Sequence, residues 1–537
     1  MKGKDLESIV IEDLSLSKSR EQFIEQHNQM LLKITEKAQK SPVYKNRIKK
    51  IDDINKLNEL PLTPFEHIHK CIKGFGLENV LLAPYTIYWQ TSGHTGEPKK
   101  FYYSKEDLEE ITNIGAEIAY ISESKHGDVF WNLGAGLPYL SGSIGTIMGE
   151  KLEMKEIMTN LVRQSDFIKG LRKASKEEKI DFISGVPLVY ISIAQIINDP
   201  KLFEQKVREK ISERLKFFKF LGRPITKIYL REINYEKLKE NLKKVKVAYT
   251  FAEPVKPYLQ NIKSFFSNSK IREVYGSTEL IFGAIQLSDN SDLSVMLNWF
   301  IPEIAPPEEV MKAKQDPSYK VNAIPWHRWE KGMKGELIAT RPGECLPLIR
   351  YPTGDLIEII NPSETHHLKI NNKTLVITLP TIKILGRSTE LIDFSTPEEM
   401  SIFMGAKLYS RQIKEALASA REYGKVKWWD LYVIPPGNQP FTNIKFEIIP
   451  ENEIENKNKF KEEIKMLLRK ECNELDIILS KIEEEFPKEV IDQCLEINIL
   501  SPDAYQRVEK QMEERIKQGR PMGQIKPKQI HIIKQRN

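Results

Sequence analysis

The sequence predicts an α/β protein of two domains. A large N-terminal domain, residues 1–392, combines α/β sheets with a β-rich subdomain, and a small α+β domain, residues 393–537, follows a hinge at Ile392 to Ser395. Three observations carry this. From about residue 85 to 300, short apolar runs alternate with helix-length amphipathic stretches, the pattern of a parallel sheet. From about 300 to 390 the runs become short, β-branched and separated by turn residues. After LIDFSTPEEM, helix and strand patterns follow one another in α+β order.

The elements follow in chain order. Residues 1 to about 80 read as a helical lead-in, with FIEQHNQMLLKITEKAQK and then the Pro-interrupted LPLTPFEHIHK. DVFWNLGAGL, DFISGVPLVYISIAQII, ITKIYL, KVAYTF and IREVY are strand-like or buried. GELIAT, LIEII, HLKI, TLVITL and TIKILG read as separate strands of the β-rich part. In the last domain SRQIKEALASA and KFKEEIKMLLRKECN read as helices and KWWDLYVIP, TNIKFEIIP and CLEINIL as strands, before a final helix and a basic tail. No internal repeat appears.

A chain of 537 residues exceeds one ordinary hydrophobic core and leaves room for a cleft. With 40% hydrophobic and 29% charged residues it falls in the globular class; no apolar run reaches membrane-span length, and the first residues have no signal-peptide core. A cytoplasmic protein without membrane or nucleic-acid partners is expected, since the net charge is only +6 and lysines alternate with glutamates along helical stretches. Cys71, Cys345, Cys472 and Cys494 are too scattered for a zinc site or a disulfide framework. Self-association to a homodimer stays open.

The most specific motif is Thr91-Ser-Gly-His-Thr-Gly-Glu-Pro-Lys-Lys100. Gly93 and Gly96 free backbone N–H groups, Thr91, Ser92 and Thr95 bring hydroxyls, and Lys99 or Lys100 brings positive charge, so the loop suits phosphate oxygens. GxxxxGK[ST] is absent, so it is not a P-loop. Taken alone it would read as a surface turn. Downstream come Tyr275-Gly-Ser-Thr-Glu279, Tyr351-Pro-Thr-Gly-Asp355 and Gly386-Arg387.

In that order, over about residues 85 to 530, the four motifs resemble the adenylate-forming superfamily: acyl-CoA ligases, peptide-synthetase adenylation domains and plant acyl acid amido synthetases. The resemblance implies ATP-dependent activation of a carboxylic acid as acyl-AMP, with Mg²⁺ held by Glu279, the α-phosphate met by Thr278, and the ribose hydroxyls by Asp355. It implies adenine beside Tyr275 and the turn Phe251-Ala252-Glu253-Pro254, whose usual glycines are missing here. Gly276 and Ser277 complete the nucleotide motif, and Arg387 forks to ribose or phosphate at the hinge. His94 stands where Ser or Thr is more usual.

Two branches compete for the second half-reaction. PDAYQRVEKQMEERIKQGRPMGQIKPKQI and YGSTELIFGAI resemble plant auxin-responsive amido synthetases, which transfer to an amine such as an amino acid. KSPVYKNRIKKIDDINKLNELPLTPFEHI resembles phenylacetate-CoA ligases, which transfer to the thiol of CoA. Either branch implies a C-terminal lysine that neutralises charge during adenylation; Lys526 fits the pattern after Gln524, with Lys528 second and a plain basic tail as the alternative. Trp131, Gly136, Tyr139 and Phe282 are the candidate acyl pocket, with core packing the competing reading for the aromatics. A nucleotide-binding protein of the same fold without catalysis is the rival of another class.

Overall fold

The computed structural model describes the chain apart from residues 1–13, 92–97, 162–163, 206, 208–229, 231, 371, 394–406, 435–442, 486, 488–491, 493, 518–528 and 534–537. Strands β1 (Ile87–Gln90) and β2 (Lys100–Tyr103) form an antiparallel hairpin. Next come β3 (Val129–Asn132), β4 (Lys155–Met158), β5 (Phe182–Gly185), β6 (Val247–Phe251) and β7 (Lys270–Tyr275). They pair in parallel in the order β4-β3-β5-β6-β7, so the parallel α/β expectation holds. Helices Leu140–Lys151, Gln164–Lys176, Pro187–Asn198, Tyr235–Lys243 and Leu259–Phe265 lie in the connections. All four residues of β3 are buried, the continuous run that a strand covered on both faces requires.

One reading changes here. VPLVYISIAQII is a helix, Pro187–Asn198, rather than part of a strand. Pro187 sits at its first turn, where the missing N–H costs nothing, and its buried residues hide the amphipathic period. ITKIYL falls almost wholly outside the described residues.

The β-rich part is not a sheet of its own. Strands β8 (Ala284–Gln286), β9 (Leu293–Val295), β10 (Ile301–Ala305), β11 (Ile324–Pro325), β12 (Lys334–Arg341), β13 (Leu348–Ile370) and β14 (Lys373–Arg387) continue the parallel strands. One twelve-stranded sheet results, in the order β11-β10-β12-β13-β14-β9-β8-β7-β6-β5-β3-β4. LIEII and HLKI are one strand, as are TLVITL and TIKILG. β13 runs through Pro362 without a break.

By compactness the described residues fall into two units, the second taking in Gly354–Ile357 and residues from Ile384 onward. That start lies upstream of Ile392, and part of the expected hinge, 394–395, is outside the described residues. The second unit holds β15 (Ile392–Asp393), β16 (Lys407–Leu408), β17 (Val426–Ile434), β18 (Asn443–Pro450), β19 (Leu495–Ile499) and β20 (Ile530–Ile532). Its four-stranded sheet runs β19-β18-β17-β20. Trp429, Leu431 and Val433 pack with Ile413, Phe460 and Leu468 from the helices Ser410–Ala418 and Lys457–Glu471. This is the α+β order expected from the sequence.

Among the described residues no helix is long and apolar enough to cross a membrane. The four cysteines are buried and form no disulfide, and burial pushes the Cys345 thiol up to about 12 and Cys494 to about 11.

Helix Arg20–Ala38 starts at a capping box formed by Ser19 and Gln22 and buries His27 completely. Trp326 Nε1 donates to His27 Nδ1 at 2.9 Å, so the ring proton sits on Nε2, 2.7 Å from the Leu297 carbonyl. Burial lowers the imidazole to about 4 and keeps it neutral. An unfolded histidine binds a proton below about 6.5, whereas this one resists until about 4. His27 therefore stabilises the fold fully above pH 6.5, and about 3 kcal/mol should be lost as pH falls to about 4. Urea midpoints measured across that window check it; in His27→Phe the fall should be shallower.

Candidate active site

Open parallel sheets gather ligands at the carboxyl ends of their strands. β3, β5, β6 and β7 run in one direction, so segments 133–139, 186–189, 252–255 and 276–282 all leave the sheet at the same edge. The Phe251–Pro254 turn, the YGSTE motif and the LGAGLPYLSG segment are thus neighbours by topology.

The hairpin that carries the hydroxyl-rich loop is seated on that edge. Its strands pair from Ile87–Tyr103 to Gln90–Lys100, and beyond them Thr91 N donates to Lys99 O at 2.9 Å and Lys99 N to Thr91 Oγ1 at 3.0 Å. Ser92, Gly93, His94, Thr95 and Gly96 lie outside the described residues. Trp89, fully buried, donates through Nε1 to Ser143 Oγ at 2.6 Å, while Gln90 N donates to Pro138 O at 2.9 Å. At the other strand, the Tyr103 hydroxyl donates to Thr278 O at 2.5 Å. Burial raises the phenol far above its ordinary range, so it keeps the proton it donates.

The YGSTE segment folds into a tight turn. Ile281 N donates to Ser277 O at 2.8 Å, Leu280 N to Ser277 Oγ at 3.3 Å and Gly283 N to Tyr275 O at 2.9 Å. Gly276 is required by this closure, since a Cβ there would lie 2.2 Å from the Ile281 carbonyl oxygen. Gly283 similarly lets the half-buried Tyr275 ring lie against the backbone. Thr278 and Glu279 are buried, and Thr278 Oγ1 donates to Glu279 Oε2 at 3.1 Å. A carboxylate and a hydroxyl are hard oxygen donors that fit Mg²⁺, which needs one or two protein ligands beside substrate phosphates. Among the described residues no group of three or more His, Cys, Asp and Glu forms a metal cage.

Ala252 has φ +68°, the left-handed region that costs an alanine roughly 1 kcal/mol. The left-handed backbone favours glycine at this position, in the turn whose usual glycines the resemblance finds missing. Ala252→Gly should leave the fold intact and raise stability by about 0.5 kcal/mol, the relieved strain exceeding the added unfolded-state entropy; thermal melts measure it.

Asp355 and Arg387 meet within the second unit, with Arg387 Nη1 3.0 Å from Asp355 Oδ1. The carboxylate is buried while the arginine is half exposed. Lys526 and Lys528 lie outside the described residues.

The other predicted residues occupy different settings. Trp131 is no pocket wall: it has no exposed surface, packs in the sheet core with Val129, Leu133 and Ile157, and donates to Thr159 Oγ1 at 2.9 Å. Strand alternation turned it toward the covering helices. Lys99 Nζ lies 3.8 Å from Glu66 and over the Phe65 ring, and Lys100 Nζ lies over Tyr88. Gly136 is buried against Asn160, Tyr139 is buried at the start of helix Leu140–Lys151, and Phe282 is half-buried beside Glu279's turn. Tyr103 and Arg341 were missed. The available signal was an arginine ending the otherwise apolar GELIAT strand and a tyrosine two residues after Phe101 on the same strand face.

No protein-family model and no curated protein matches the chain. Solved structures do. A 2-hydroxyisobutyryl-CoA ligase in the postadenylation state aligns at TM-score 0.62 and 12% identity, over 96% of this chain and 98% of its own. The same ligase in an open conformation with 2-HIB-AMP and CoA aligns at 0.56, with 12% identity over 91% of this chain and 90% of its own. The acyl acid amido synthetase GH3.15 aligns at 0.60, with 12% identity over 97% and 94%. Over nearly its whole length the chain therefore has the fold of these acyl-activating ligases.

Proposed function

We propose that the chain activates a carboxylic acid with ATP and then transfers the acyl group to an amine such as an amino acid. The observation that carries this reading is the seating of the hydroxyl-rich hairpin on the Thr278-Glu279 turn through Tyr103 and Arg341. Two motifs far apart in sequence, each suited to phosphate or its metal, thereby share one edge of the sheet.

In the first half-reaction an oxygen of the carboxylate attacks the α-phosphorus, the bond to the β-phosphate oxygen breaks, and pyrophosphate leaves. Mg²⁺ held by Glu279 would supply charge neutralisation at the phosphates. The Thr91–Lys100 loop cradles phosphate oxygens through N–H and hydroxyl donors, Thr278 donates to the α-phosphate, Asp355 accepts from ribose, and Lys526, ahead of Lys528, neutralises the transferring group. In the second half-reaction the amine nitrogen attacks the acyl carbon, AMP leaves, and the amine loses a proton. Transfer to the thiol of CoA is the second reading, favoured by the similarity to a structure holding 2-HIB-AMP and CoA. A cytoplasmic location, and a C-terminal domain that moves between the two half-reactions, belong to the same proposal.

Acid-dependent exchange of labelled pyrophosphate into ATP tests the first step. No exchange across a broad acid panel, with ATP binding retained, would favour the non-catalytic reading instead. AMP release scored with amino acids and with CoA then separates the two acceptors.

A further inference from the structure

Three successive carbonyls of the Glu279 turn are taken by long side chains from distant parts of the chain. Thr278 O accepts from Tyr103 OH at 2.5 Å, Glu279 O from Arg341 Nε at 2.5 Å, and Leu280 O from Trp299 Nε1. Arg341 Nη2 also donates to the Tyr103 oxygen at 3.2 Å and Nη1 to Pro342 O at 2.6 Å, which joins the hairpin to the turn. Arg341 is 2% exposed, and its guanidinium carbon lies 5.0 Å from the Tyr103 ring and 5.8 Å from the Trp299 ring. Among the described residues its hydrogen bonds go to neutral oxygens, and the Glu110 carboxyl lies near enough to feel its charge.

Burying a guanidinium whose hydrogen bonds go to neutral oxygens rather than to a carboxylate costs more than burying an apolar side chain of similar size. Such an arrangement is a poor way to gain stability alone. What it gives is direction: the planar fork fixes two carbonyls and a phenol at once, which neither lysine nor an apolar residue can do.

We propose that Arg341 and Tyr103 are positioning residues that set the Thr278-Glu279 turn against strand β2, so that the Glu279 carboxylate is held in one place for a magnesium-nucleotide. This rests on the adenylation reading above. Displacing a group by about an ångström in such a site typically costs on the order of a hundredfold in rate.

Tyr103→Phe removes the hydroxyl and keeps the ring; Arg341→Lys keeps the charge and loses the fork. Both should show roughly tenfold higher half-saturating Mg²⁺, in calorimetric ATP binding as well as in pyrophosphate exchange. Exchange kcat should fall about 10–100-fold with KM for the acid unchanged. A merely structural role would lower the melting temperature and leave the Mg²⁺ dependence and the kcat-to-KM split alone. Parent-like Mg²⁺ dependence in a folded Tyr103→Phe variant overturns the proposal, and that variant decides if Arg341→Lys does not fold. Should the parent bind Mg-ATP but exchange with no acid, the adenylation reading fails, while binding still judges the positioning role. A parent that binds no Mg-ATP overturns both.

Discussion

Glu279→Gln lowers acid-dependent pyrophosphate exchange by about 10²–10³-fold while ATP binding stays measurable. The expectation is this large because the change removes the negative charge of a buried side chain whose backbone carbonyl is held in place by Arg341. Glutamine has nearly the same shape and still accepts the hydrogen bond from Thr278, so the melting temperature should stay close to the parent value. Exchange assays paired with melts separate loss of charge from loss of fold. Unchanged turnover in a folded variant would remove Glu279 from the metal role.

The largest stability effect is expected at Arg350. Its guanidinium and the Glu303 carboxylate are both fully buried, with Nε 3.1 Å from Oε2 and Nη2 3.1 Å from Oε1. The same side chain donates to Leu60 O at 2.6 Å, Asn58 Oδ1 at 2.8 Å and Val321 O at 3.1 Å, tying the N-terminal segment to β10 and β13. Burial pushes the Glu303 carboxyl up and Arg350 pulls it back down. Arg350→Met strands a buried carboxylate and should cost about 3–5 kcal/mol, read as a lower urea midpoint. Adding Glu303→Gln removes the stranded charge, so the double variant should recover part of that loss.

Much of the fold was legible because strand and helix periods are local. The runs VFWN, FISG, VAYTF and KIREVY fall on β3, β5, β6 and β7, and the C-terminal helices and strands lie where their patterns put them. Helix Pro187–Asn198 escaped because the burial of Tyr190, Ile193, Ala194, Ile196 and Ile197 erases the polar stripe that marks a helix. The join of β7 to β8 and β9 escaped because β8 and β9 are three residues each, too short to show a period. Of the site, the motifs were visible as chemistry: paired glycines, hydroxyls and lone acids in turn-like surroundings. Their supports were not. Tyr103 reaches across 175 residues to Thr278, and Arg341 across 62 to Glu279.

The amino-acid sequence by itself determined the kinds of element, their order and the types of side chain offered at each turn, since these depend on neighbours within a few residues. Tertiary structure alone decided that one sheet runs through both halves of the large domain, that Trp131 faces the core, that Asp355 meets Arg387, and which side chains hold Glu279's backbone. The reason is physical. Those outcomes are set by which buried donors find acceptors once distant segments pack, and no local period encodes that choice.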